Sequence, residues 1–149
     1  MLIVEAAGQK RSELIQLLES QKLPFEDLPT GLNNFYAAVE DDQVVGLIGM
    51  EPYGSYGLLR SMVVHPEFRN RQIAENLVRQ IEEKAASAGI VSMFLLTETA
   101  ENYFSRKGYE KISREEVPAD VKSSSEFSHV CPVSATVMKK HLKITTPEL

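Results

Sequence analysis

Apolar residues recur along this chain at the two spacings that mark strands and helices. Leu2 to Ala6 reads as a first strand, broken by Gly8-Gln9. From Ser12 to Ser20 the residues Leu14, Ile15, Leu17 and Leu18 fall on one face of a helix, with Ser12 as its cap. Leu23 to Gly31 is interrupted by Pro24, Pro29 and Gly31, and reads as a loop or short helix of the kind that lies over a substrate cleft. Phe35 to Val39 and Val44 to Met50 form a hairpin about Asp41-Asp42, and a second turn, Pro52 to Gly57, leads into a strand from Leu58 to Val64.

A helix is predicted from about Arg71 to Gly89, where glycine suits a left-handed cap, followed by Ile90 to Thr97, an apolar run fit for a strand buried on both faces. Strand, crossover helix and strand imply that the second strand runs parallel to the first. A short helix from Ala100 to Lys107 stops at Gly108, and Tyr109 to Ile112 reads as a strand. Residues 113–130 are polar and read as irregular; Val133 to Met138 is the last predicted strand, and the chain after Leu142 is expected to fray. The predicted class is α/β (α+β), a mixed sheet of about six or seven strands with about four helices, in one domain over residues 1–142.

Within this pattern the stretch Ser61 to Val78 combines features that bear on function. Pro66 ends an apolar strand, because proline has no amide hydrogen for a ladder. Arg69 and Arg71 then flank the start of a helix on which Ile73, Leu77, Val78, Ile81 and Ala85 recur at helical spacing. Two guanidiniums and the free amides of a helix N-terminus suit an anion.

Composition narrows the possibilities. A chain of 149 residues with 43% hydrophobic content can build a full core, and its net charge of -5 opposes general nucleic-acid binding. The basic loop is therefore local, suited to a small anion. A single cysteine, Cys131, excludes an internal disulfide framework and fits a reducing compartment. No apolar run is long enough for a membrane span, and the N-terminus lacks a charged leader region, so a cytoplasmic location is expected. His65, His129 and His141 are too scattered to suggest a metal site.

The segment Arg69-Asn70-Arg71-Gln72-Ile73-Ala74, framed by Val64, Pro66, Phe68 and Leu77, resembles the motif R/Q-x-x-G-x-G/A of the GNAT acyltransferases. In that family the motif wraps the pyrophosphate of acetyl-CoA. The resemblance implies a GNAT fold over roughly residues 2–142, acetyl-CoA as cosubstrate, phosphate contacts from Arg69 and Arg71, and main-chain amides from Asn70, Gln72, Ile73 and Ala74. It also implies pantetheine contacts from the main chain of Met62, Val63 and Val64. Gln72 departs from the family, standing where glycine lets the backbone approach a phosphate with no Cβ in the way.

Thr97 to Tyr109 resembles a second GNAT motif, N-x-x-A-x-x-[L/F]-Y-x-x-x-G-[F/Y], matching at Ala100, Gly108 and Tyr109. Thr97 replaces the asparagine. Phe104 replaces the tyrosine that in many members protonates the departing thiolate, and Tyr103 lies about 100° away around the helix. Either Tyr103 substitutes, or water or another side chain supplies the proton while Phe104 packs beside the thioester and Ser105 lines the cofactor.

An amine nucleophile needs a base, since an alkylammonium titrates near pKa ~10.4. Glu51 is the candidate. Arg60 interrupts an apolar strand and requires a partner, so Glu51 and Arg60 form either a plain ion pair or a working pair in which Arg60 grips an anionic part of the substrate. Glu51-Pro52-Tyr53-Gly54, Leu59-Arg60-Ser61 and Cys131-Pro132-x-Ser134-Ala135 resemble the GNAT subfamily associated with arsenic-resistance operons. That likeness implies a small-molecule amine substrate near Glu51, Arg60, Cys131 and Ser134. The rival reading is a GNAT-like domain that binds CoA or a metabolite as a sensor, or mediates protein contacts, without efficient transfer; a homodimer is compatible with either.

Overall fold

The computed structural model describes residues 2–6, 10–23, 25, 28, 32–69, 72–124 and 135–142, the first of these segments by its backbone. Its elements are β1 (Leu2–Ala6), α1 (Arg11–Ser20), β2 (Phe35–Glu40), β3 (Gln43–Tyr53), β4 (Tyr56–Val64), α2 (Ile73–Ser87), β5 (Ser92–Thr97), α3 (Glu101–Arg106), β6 (Glu110–Ile112), α4 (Ala119–Lys122) and β7 (Thr136–His141). The hydrogen-bonded strand order is β1-β2-β3-β4-β5-β7-β6, a mixed sheet of seven strands. Contacts divide the chain into two units, one of residues 1–50 and 61–83, the other of residues 51–60 and 84–149.

In the first unit, β1 pairs antiparallel with β2 from Leu2↔Glu40 to Ala6↔Tyr36, and β2 pairs antiparallel with β3. The hairpin turns on Asp41 and Asp42, both left-handed at φ +50° and +66°. That conformation matches the twist of the strands, and aspartate tolerates it better than most side chains. Because successive strand residues face opposite sides, β2 and β3 present two surfaces. One buries Phe35, Ala37, Val39 and Leu47 against Leu14, Leu17 and Leu18 of α1. On the other, Gly46 meets the start of α2, where an added Cβ would lie 3.1 Å from both Ile73 and Leu77. Covering both faces explains why Val44 to Met50 is buried without alternation.

In the second unit, β4 pairs in parallel with β5 through Tyr56↔Ser92, Gly57↔Met93 and Leu58↔Phe94. β5 pairs antiparallel with β7 along its whole length, and β6 closes that edge by pairing with β7. Leu58, Phe94, Val117, Val121 and Val137 form the core of this unit. Among the described residues no helix is long and apolar enough to cross a membrane.

The elements depart from expectation in four places. α1 begins at Arg11, with Lys10 at its cap position and no side-chain cap bond, so Ser12 lies inside the helix. β3 runs on through Pro52 to Tyr53, and the turn shrinks to Gly54-Ser55, with Gly54 at φ +63°. Residues 113–124 contain a 3-10 turn at Arg114–Glu116 and helix α4, held by the buried Val117 and Val121. β7 begins at Thr136, and Val133 lies outside the described residues. Of the segment read as a loop, Leu28 is buried beside α1, as is Leu32 just after it, and Leu28 O accepts from Arg11 at 3.2 Å.

Gly46 thus sets how closely α2 approaches β3. Gly46→Val, with two added methyls directed at Ile73 and Leu77, is expected to cost about 1–3 kcal/mol, measured as a loss of unfolding free energy in urea.

Candidate functional site

The loop between β4 and α2 lies in the first unit. Pro66 opens a 3-10 turn, Pro66–Phe68, in which His65 Nδ1 accepts from the Glu67 amide at 3.1 Å. Beyond it Arg69 is exposed; its Nε donates to Val64 O and its guanidinium to Gln21 Oε1, both at 3.4 Å. These bonds are long for N–H···O, so they orient the guanidinium without consuming its capacity for a stronger anionic acceptor. Asn70 and Arg71 lie outside the described residues.

Gln72 adopts φ +62°, the left-handed region. A side chain there costs roughly 1–2 kcal/mol, which glycine avoids. The chain therefore takes, with glutamine, the backbone conformation for which glycine is suited. Behind it Ile73 is buried and Ala74 half-buried, while Glu75 in the first turn of α2 is exposed. Upstream in β4, Ser61 has φ +57°, and Met62, Val63 and Val64 follow, with Val63 packed into the core.

A cavity of about 440 Å³ in the same unit is lined by α1 and the β2–β3 hairpin and includes Glu13, Asp42 and His65. Its carboxylates make it unsuited to an anion, in contrast to the Arg69 loop.

In the second unit the structure brings Glu51 and Arg60 together. The Arg60 side chain is 1% exposed, and its Nη1 is ion-paired with Glu51 Oε2, while the Glu51 side chain is 20% exposed. Tyr53, which the sequence reading passed over as a turn residue, donates its hydroxyl to Glu51 Oε1. Burial first, and then the bond to the Glu51 carboxylate and its charge, push the Tyr53 phenol well above its ordinary range; a hydrogen bond with Ser124 and the Arg60 charge act against this. Each Glu51 oxygen thus has its own donor.

Also in that unit, Thr97 at the end of β5 accepts from the amide of Ala100, the residue before α3, at 2.9 Å. Phe104 is buried, its ring edge-on to Tyr109 at 5.4 Å and to Tyr103 at 5.2 Å. Tyr103 is half-buried, with the Lys107 ammonium 5.5 Å from its ring centre, and Ser105 is exposed. Cys131 and Ser134 lie outside the described residues. Among the described residues no three His, Cys, Asp or Glu side chains gather as a metal site.

Residues 8–113 match the model of the Acetyltransferase (GNAT) family. The chain is 27% identical over 113 residues to an amino-acid acetyltransferase of Pseudomonas paraeruginosa, covering 72% of this chain and 26% of that protein. It is 30% identical over 101 residues to an uncharacterized N-acetyltransferase of Chlorobaculum tepidum, covering 67% and 64% of the two chains. The chain therefore spans about a quarter of the length of the amino-acid acetyltransferases it matches. Its fold resembles N-acetylglutamate synthase of Neisseria gonorrhoeae, crystallised with coenzyme A and N-acetyl-glutamate, with a TM-score of 0.78 at 17% identity over 96% of this chain and 35% of that one.

The left-handed backbone at Gln72 carries a direct consequence. Gln72→Gly is expected to raise stability by about 0.5 kcal/mol, the strain relieved less the extra chain entropy of glycine, and to tighten CoA binding. Urea unfolding and calorimetric titration with CoA measure the two effects.

Proposed function

This chain belongs to the GNAT acetyltransferase family, and on that premise we propose that it transfers the acetyl group of acetyl-CoA to the amino group of a small molecule. Acetyl-CoA is the cosubstrate of the family. The observation that carries the reading is the left-handed backbone at Gln72: the loop keeps a conformation suited to a phosphate although the residue has changed. Arg69 and Arg71 would bind the pyrophosphate through charge-assisted hydrogen bonds, joined by main-chain amides of Asn70, Gln72, Ile73 and Ala74.

The pantetheine arm would run along the main chain of Met62, Val63 and Val64. The positive φ of Ser61 supports this, because a left-handed residue within a strand turns neighbouring amides out of the regular ladder. One such amide near Val63 would stabilise the oxyanion.

Glu51 takes the proton of the substrate ammonium, and the freed amine nitrogen forms a bond to the thioester carbonyl carbon. The tetrahedral oxyanion then collapses, the carbon–sulfur bond breaks with its electron pair on sulfur, and the thiolate takes a proton from Tyr103 or water. Phe104 has none to give. Thr97, Phe104 and Ser105 complete the cofactor contacts on this reading.

The acceptor we assign is an amine of the free amino-acid class. Support comes from the relatives named amino-acid acetyltransferases and from the Glu51 carboxylate, which Arg60 holds from its buried side and which is exposed enough to meet an ammonium. Cys131 and Ser134, with the same pair, carry the likeness to members associated with arsenic-resistance operons.

The test is thiol release from acetyl-CoA across a panel of amino acids and other amines. Thiol release above hydrolysis with at least one amine is expected. CoA binding with no such release across the panel would replace transfer by sensing. Arg69→Ala is expected to weaken CoA binding roughly tenfold, and Glu51→Gln to lower kcat with little change in CoA affinity; unaltered CoA affinity in the arginine variant would remove the proposed pyrophosphate contact.

A further inference from the structure

Tyr53 has no place in the reaction as so far described, yet its surroundings are unusually specific. It stands two residues from Glu51 on β3, and residues at that spacing share a face of a strand. Its hydroxyl holds Glu51 Oε1 while Arg60 holds Oε2, so the carboxylate is gripped at both oxygens and cannot rotate without losing a bond. Ser124, two residues past the end of α4, is buried and interacts with the Tyr53 phenol.

We propose that Tyr53 is the positioning residue of the reaction, presenting the Glu51 carboxylate to the acceptor ammonium in a single orientation, with Ser124 behind it. The inference rests on the reading of Glu51 as the base. Chemically the arrangement is coherent. Glu51 Oε1 and Oε2 each accept one protein hydrogen bond and each keeps a second lone pair. The 20% exposure of the Glu51 side chain leaves it within reach of a ligand, whereas Arg60 at 1% is not. The phenol, its affinity for its proton raised by burial and by the adjoining carboxylate, remains a donor throughout the range in which the substrate amine is handled. Tyr53 gives up no proton in the reaction; it holds the group that takes one.

A double-mutant cycle in kcat separates this role from mere packing. Tyr53→Phe keeps the ring and removes the hydroxyl. It is expected to lower kcat roughly tenfold, a part of the 10²–10⁴ a general base supplies, while the KM for acetyl-CoA and the melting temperature stay near wild type. In the Glu51→Gln background the same substitution is expected to have no further effect, because its target is gone. Ser124→Ala should reproduce a smaller loss with the same dependence on Glu51.

An equal loss from Tyr53→Phe in both backgrounds would overturn the proposal in favour of a structural role. So would wild-type kcat in Tyr53→Phe alongside a slow Glu51→Gln enzyme, an outcome that leaves Glu51 as base. Wild-type kcat in Glu51→Gln itself would instead remove the reading on which the proposal stands.

Discussion

A guanidinium buried in the middle of a strand is the constraint on which the second unit turns. Arg60 lies between Leu58-Leu59 and Met62-Val63-Val64, and it cannot shed its charge, so the protein must supply a carboxylate to it. Glu51 does so from the neighbouring strand. Hydrophobic residues of similar volume would fill the same space at no desolvation cost, so stability alone is a poor reason for the pair. Its value lies in what it fixes: a partly exposed carboxylate held at one oxygen by Arg60 and at the other by Tyr53.

The first unit solves a different problem, bringing a helix N-terminus to a strand end with little side chain in the way. Gly46 lets α2 lie close to β3, and the buried Ile73 and Leu77 anchor its first turns there. Immediately ahead of it, Gln72 takes a left-handed conformation despite its Cβ.

Legibility in the sequence follows from how local each signal is. The strands and α2 were readable because burial on one or two faces leaves a period in the chain, and the Arg60–Glu51 partnership was readable because an arginine in an apolar strand demands a carboxylate. Pro52 and Tyr53 looked like turn chemistry, yet β3 continues through them and the turn needs only Gly54 and Ser55. α4 was hidden because it rests on two valines in a polar stretch, Val117 and Val121, too few to display a helical period. The Tyr53–Glu51 bond depends on β3 continuing past Pro52, which the neighbouring residues in sequence do not announce.

Gln72 and Phe104 both depart from the pattern of the family, but they depart in different currencies. A phosphate cradle is made of main chain, so its conformation can persist through a change of side chain, and Gln72 takes the left-handed conformation that glycine favours. A proton donor is a side-chain atom, and the buried ring of Phe104 supplies none. Thr97, which takes the asparagine's place in the second motif, uses its hydroxyl oxygen to accept from the Ala100 amide ahead of α3. Functions carried by backbone thus survive substitution at some cost in strain, whereas functions carried by side chains must be reassigned. The proposed chemistry of this chain accordingly falls to Glu51 and the residues that hold it, since that is where its described polar side chains converge.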